Sequence, residues 1–226
     1  IPLDEVLGGP EEHSSFNDFF ARKLKPECRP FDSNPKVLIS PADARLAVFE
    51  KISGDTLLPI KGAKIPVDNL LADKAMGARY HNGGAMILRL CPSDYHRFHF
   101  PATGVPGPPL SIPGVYHSVS PFALEKGIDV FCKNHRVVTE MDTERFGKIA
   151  LIDVGALCVG AIVSTFEAGK KVNRGAEKGY FKFGGSTIVL LTQKDRVQFD
   201  EDLLSNTADG FETLIQMGHR LGISRD

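Results

Sequence analysis

The chain has 226 residues, 42% of them hydrophobic and 24% charged, a globular balance that excludes wholesale disorder. Its formal charge of −1 lacks the basic excess of a general nucleic-acid binder, so no nucleic-acid partner is expected. Twenty-two glycines and 15 prolines point to many turns and a β-rich fold. The four cysteines (Cys28, Cys91, Cys132, Cys158) include no C-x-x-C pair, so they read as reduced, mostly buried thiols, and no metal site is expected.

Residues 1–15 read as an extended lead-in broken at Gly8-Gly9-Pro10. Ser15 is placed to cap a helix over 16–24, with Phe16, Phe19, Phe20 and Leu24 on one face. Short runs bounded by turn residues, most of them rich in β-branched side chains, predict strands at 37–39, 46–49, 85–88, 128–131, 149–153, 158–164 and 187–191. A helical turn is expected at 67–73 and a helix over 201–220, weakened near Gly210. The longest apolar run, 154–163, is half of the roughly 20 residues a spanning helix needs and reads as a bent buried strand. The chain opens on Ile1, so a targeting or anchoring segment is expected to be missing from it. Without an internal repeat or linker, residues 1–226 read as a single domain.

Three clusters could carry chemistry. In Asp94-Tyr95-His96-Arg97-Phe98-His99-Phe100-Pro101 two histidines stand three apart; in an extended segment they point to opposite sides. Taken alone they read first as structural histidines satisfied by hydrogen bonds. Phe183-Gly184-Gly185-Ser186-Thr187 places a double glycine inside a strand-like stretch. That is either a β-bulge or a backbone built to distort so that a serine hydroxyl can attack the preceding carbonyl. In Ser40-Pro41-Ala42-Asp43 the acid is either a turn residue or one that orients a catalytic histidine. A G-x-S-x-G elbow is absent from the sequence, which disfavours a conventional α/β-hydrolase.

Together these strings resemble the phosphatidylserine decarboxylase family over nearly the whole chain. The likeness rests on Phe16-Asn17-Asp18-Phe19-Phe20-Ala21-Arg22-Lys23-Leu24-Lys25-Pro26 with Arg29-Pro30, on Pro41-Ala42-Asp43, and on Asp94 to Pro101. It continues through Asn134-His135-Arg136-Val137 and Val154-Gly155-Ala156 to Phe183-Gly184-Gly185-Ser186-Thr187, which resembles the self-cleavage motif. Gly184 and Ala44 depart from many members and are similar to the non-mitochondrial eukaryotic branch.

The resemblance implies a catalytic domain that makes its own cofactor. Ser186 Oγ attacks the Gly185 carbonyl and an ester forms; its elimination frees residues 1–185 and leaves dehydroalanine at 186, which hydrolyses with loss of ammonia so that residues 186–226 are capped by a pyruvoyl group. His99 matches the base for this step and Asp43 the acid that orients it. The pyruvoyl group then takes the substrate amine as a Schiff base and accepts the charge left by departing CO₂. His96 matches the residue that returns a proton to carbon. Phosphatidylserine would become phosphatidylethanolamine at an anionic membrane surface, with a membrane-associated, endomembrane location implied; a homo-oligomer is compatible with the resemblance.

Two alternatives stand beside this one. A same-family enzyme could decarboxylate a free amino acid in a small closed pocket. The spacing Gly169-x-x-Val172-x-x-Gly175-x-x-x-Gly179 also resembles the turns of lipoyl and biotinyl carrier domains. That likeness adds barrel-sandwich-hybrid character to an expected α+β, β-rich fold of sandwich- or barrel-like sheets with a few peripheral helices. The cations Lys170, Lys171, Arg174, Lys178 and Lys182 read as a solvated hairpin face or as an attraction to anionic headgroups.

Overall fold

The strand Ser186–Thr192 is buried at every position, because it runs through the middle of the largest sheet with neighbours on both edges. The structure is a computed structural model and describes residues 1–52, 57–60, 63–118, 130–156, 161–184 and 186–225, with side chains withheld at 57–60, 63 and 64.

In chain order the first strands are β1 (Val37–Ile39), β2 (Ala44–Phe49), β3 (Leu57–Ile60), β4 (Ala63–Pro66) and β5 (Ala85–Leu90). Next come β6 (Arg97–His99), β7 (Gly104–Pro106), β8 (Leu110–Ile112), β9 (Arg136–Thr143) and β10 (Lys148–Gly155). The remainder are β11 (Ile162–Ser164), β12 (Glu177–Phe181), β13 (Ser186–Thr192), β14 (Val197–Phe199), β15 (Thr213–Ile215) and β16 (Arg220–Ser224). The α-helices are α1 (Phe16–Phe20), α2 (Val67–Leu71), α3 (Lys74–Ala78), α4 (Val130–Lys133) and α5 (Glu201–Ala208).

The central sheet runs β15-β2-β5-β13-β10-β9-β7, with β8 also on β9, and its pairings are antiparallel. Side chains alternate between its faces. Ile188 and Leu190 of β13, Leu151 of β10 and Leu88 of β5 face one core, which they share with Phe98, Phe100 and Phe181. Val189, Leu191, Ile152 and Ile87 face a second core, closed by Val67, Leu70 and Leu71 of α2 and by Val130 and Phe131 of α4. Both faces are therefore dry, which explains why β13 and β10 read as continuous apolar runs.

The first core is capped by a small sheet, β11-β12-β6. Fully buried Lys178 of β12 pairs with fully buried Asp153 of β10 and fastens this sheet to the central one. A third sheet, β1-β16-β14, completes the architecture, with β3 and β4 forming a separate hairpin. The fold is the expected β-rich α+β sandwich with peripheral helices; its sheets are open, and the described residues form no closed barrel.

Several local expectations need correction. The lead-in contains two 3-10 turns, Leu3–Glu5 and Pro10–Glu12. Ser15 does cap α1, accepting from Asp18 N–H at 3.2 Å, but the helix stops at Phe20 rather than running to 24. Beyond it the backbone lines up with the lead-in, through Leu7 N–H to Lys23 O and a Val6–Leu24 bridge, so Leu24 is lost to the helix. The strand expected at 128–131 is helical where described: Asn134 N–H closes a turn on Val130 O, and Val130 and Phe131 bury against the second core. Residues 128 and 129 fall outside the described set, as does Cys158.

The helix expected over 201–220 ends at Ala208. Gly210 adopts φ +85°, a left-handed stop that suits glycine, and Thr213–Ile215 then joins the edge of the central sheet against β2. The five cations between 170 and 182 do not make one face. Lys178 is buried in its ion pair, and Arg174 donates to Asp32 O, Asn34 O and Val37 O. Cys28 and Cys91 are half-buried free thiols rather than fully buried ones.

Candidate active site

Ser186 opens β13 opposite Gly155 on one side and Leu90 on the other, and is fully buried. Its place in the alternation puts Oγ on the face shared by Ile188 and Leu190, under the small sheet. That hydroxyl has no hydrogen-bond partner among the described residues, although a buried hydroxyl normally finds one. Gly184 sits at φ +142°, where residues with a Cβ are rare. Gly185 lies outside the described residues, and the expected approach of Ser186 Oγ to its carbonyl falls there.

The end of β10 is held in place beside Ser186. Fully buried Asn134 donates to Gly155 O at 2.7 Å and to His117 O at 2.8 Å, and accepts from His117 N–H at 2.9 Å. This gives Asn134 a positioning role that the string Asn134-His135-Arg136-Val137 did not reveal by itself.

His96, fully buried, faces the inner aromatic cluster. Its ring lies 3.9 Å from that of Phe20, centroid to centroid, and Phe20 meets Phe183 edge-on at 5.2 Å. Nδ1 is 2.9 Å from Asp94 O, a carbonyl that can only accept, so Nδ1 carries the hydrogen and Nε2 presents a lone pair. Nε2 has no partner. Burial drives the pKa of this imidazole down to about 4, so it is neutral near pH 7.

His99 occupies the other side of β6. Its Nδ1 is 2.9 Å from Gly175 O and its Nε2 is 3.2 Å from Tyr95 Oη. By the same reasoning Nδ1–H donates to Gly175 and Nε2 accepts from the tyrosine hydroxyl. Burial lowers the pKa of His99 as well.

Asp43 does not bond to His99, contrary to the expected triad geometry. The two segments touch through the backbone, His99 N–H to Pro41 O at 2.8 Å. The Asp43 carboxylate instead accepts two-pronged contacts from Arg29 (Nε at 2.9 Å, Nη2 at 2.6 Å) and Met217 N–H at 2.8 Å. A guanidinium fork matches a carboxylate in plane, which is why arginine wins this partnership. Arg29 stood in the opening motif, but nothing in its spacing announced Asp43 as its partner.

A second arginine of that motif was also missed. Arg22 is 3% exposed, and its Nη2 donates to Ser93 O and to Asp94 O, the same carbonyl that holds His96. Asp43, Arg29, Arg22 and Tyr95 line a cavity of about 220 Å³ with Glu5, Asp94 and the apolar Ile1, Leu24, Leu214 and Ile215.

Comparison with known proteins fits this arrangement. The model of the family described as phosphatidylserine decarboxylase matches residues 16–223. A phosphatidylserine decarboxylase proenzyme of Ruminiclostridium cellulolyticum is 46% identical over 222 residues, covering 98% of this chain and 74% of that protein. Proenzymes of the same name from Clostridium perfringens (45% over 212 residues; 94% and 72%) and Chlamydia muridarum (44% over 219 residues; 97% and 73%) are similar to the same extent. These relatives are bacterial, whereas Gly184 and Ala44 resemble the eukaryotic branch, so the match speaks to the family and not to the branch. The chain belongs to the phosphatidylserine decarboxylase family.

Proposed function

We propose that the chain is a proenzyme that cuts itself between Gly185 and Ser186 and then decarboxylates phosphatidylserine to phosphatidylethanolamine and CO₂. The observation that carries this reading is Ser186 Oγ: fully buried, without a partner, and one residue beyond the double glycine. A free buried hydroxyl is a nucleophile kept away from competing water.

The cofactor would be a pyruvoyl group formed from Ser186 itself, and its ketone would supply the electron sink that decarboxylation needs. The chain's own residues do the rest. His96 presents an unpartnered Nε2 in the site and is the residue we assign to returning a proton to carbon once CO₂ has left. His99 is the base we assign to self-cleavage, and it must first give up the Tyr95 hydroxyl. Asp43 serves the site through Arg29 and the Met217 amide, and so shapes the wall that faces the cavity.

A lipid substrate requires contact with a membrane surface. Phe16 (62% exposed) meets partly exposed Phe183 edge-on, and Ile1 and Leu214 (70% exposed) stand at the cavity, supporting an apolar rim that dips into the lipid. Phe16→Asp should lower recovery of the protein with anionic liposomes on flotation.

Intact mass tests the reading directly. Wild-type protein should resolve into residues 1–185 and a carbonyl-bearing 186–226, while Ser186→Ala should remain one chain with no amine-reactive carbonyl. A Ser186→Ala protein that still releases CO₂ from phosphatidylserine would falsify the scheme, and equal turnover of free serine would overturn the lipid assignment.

A further inference from the structure

Charge in the cavity beside His96 is unevenly satisfied. Arg29 is matched by Asp43 and Glu5. Asp94 is matched by Arg45 and by the Cys91 amide. Arg22 is the exception: its Nη2 has two carbonyls, but Nε and Nη1 have no acceptor, and no carboxylate pairs with it among the described residues. Burial lowers the pKa of Arg22, as expected for a cation taken out of water without a counter-ion.

The backbone that carries this guanidinium is anchored. Ala21 O, just before it, accepts from Arg97 Nε at 2.8 Å, and Arg97 is itself held by Glu177. The guanidinium carbon lies 5.4 Å from the Phe19 ring centroid. Arg22 lines the cavity, and its idle Nε and Nη1 donors, shut off from solvent in this state, can meet an oxyanion there once the fork turns toward it. We propose that Arg22 and this cavity form a subsite for the phosphodiester of the substrate headgroup, an inference that rests on the reading above.

Three considerations select the phosphodiester over the other anion of the substrate. Arg22 and His96 donate to one carbonyl, Asp94 O, so an anion on Arg22 sits next to the residue assigned to proton transfer. A carboxylate about to leave as CO₂ gains nothing from an ion pair, since its charge vanishes along the reaction and the pair would favour the ground state. A phosphate keeps its charge throughout, so its binding persists in the transition state. The volume agrees: about 220 Å³ is below the roughly 300–1,000 Å³ of pockets that enclose drug-sized ligands, room for a headgroup and not for acyl chains. Apolar Ile1, Leu24 and Leu214 among the lining residues suit the start of the glycerol portion.

The test uses the processed enzyme with dihexanoyl-phosphatidylserine. Arg22→Gln should raise KM about 10- to 100-fold, the loss of one or two charge-assisted hydrogen bonds, and the effect should fall on KM far more than on kcat. Arg22→Lys, which keeps the charge and loses the fork, should lie between. Glycerophosphoserine should compete with substrate in the wild type, more strongly than inorganic phosphate, and should lose that advantage in Arg22→Gln.

An unchanged KM in Arg22→Gln, or a fall in kcat alone, overturns the proposal. Should that variant fail to fold, the wild type still decides, because absence of competition by glycerophosphoserine overturns the subsite. Equal competition by inorganic phosphate overturns its assignment to the lipid. If the wild type releases no CO₂ from phosphatidylserine, it is the function that fails. The anion site is then judged separately, by whether inorganic phosphate raises the melting temperature of the wild type and not of Arg22→Gln.

Discussion

Arg29 grips Asp43 through two nitrogens, and that carboxylate also receives the Met217 amide, which ties the N-terminal segment to the turn before β16. The side chains are 9% and 13% exposed, so removing one partner strands a nearly dry charge. Arg29→Ala should therefore destabilise the protein by about 3–5 kcal/mol. The urea midpoint at pH 7 measures this, read in an uncleaved Ser186→Ala background so that chain separation does not intervene. A shift within the noise of a surface substitution would mean that the pair is solvated.

Self-cleavage should depend on His99 and not on the hydroxyl that occupies it. His99→Ala should give one band on a denaturing gel. Tyr95→Phe leaves the ring in place and frees His99 Nε2, so it should cleave no more slowly than the wild type. A Tyr95→Phe protein that stays whole would show that the tyrosine hydroxyl takes part in the chemistry.

His96 links protonation to stability. Its folded pKa of about 4 lies below the ordinary 6.5, so the unfolded chain binds this proton first as pH falls. Its contribution is complete above pH 6.5 and is lost as pH drops from there toward 4, by up to about 3 kcal/mol. Unfolding midpoints of the Ser186→Ala precursor between pH 7 and 4 should fall more steeply than those of a precursor that also carries His96→Gln. Parallel curves would place His96 in contact with water. The same His96→Gln change in the cleavable protein should leave cleavage intact and turnover poor.

The Lys178–Asp153 pair should behave as a clamp between sheets. Both side chains have zero exposure, Asp153 Oδ1 has no partner, and burial raises the pKa of that carboxyl. Lys178→Met alone should cost about 3–5 kcal/mol, and Asp153→Leu added to it should recover most of that loss, since apolar replacements of buried pairs are often neutral or better. Thermal melts of the two variants decide it. A double variant no better than the single would mean that the pair does more than fasten the sheets.

What the sequence by itself determined is local and periodic. The unbroken apolar character of 187–191 and 149–153 marked strands dry on both faces, and Ser15 marked the start of α1, because alternation and capping are written within a few residues. The strings around Asp43, His96, His99 and Ser186 pointed to one site; the structure places His99 in the small sheet, His96 just before it and Ser186 at the head of β13.

The tertiary structure alone decided the partners. Thr213–Ile215 is apolar enough for a helix face, yet it is a strand because β2 offers an unpaired edge to dock on. Lys178 looks like one more surface cation until β12 is laid across β10 and Asp153 comes within reach. Asp43 could have met His99; it meets Arg29 because the segment after α1 folds back beside residues 5–7 and carries the guanidinium to it. Backbone propensities act over a turn or two, whereas these pairings join residues from 14 to 174 positions apart, so only the closed chain could choose among them.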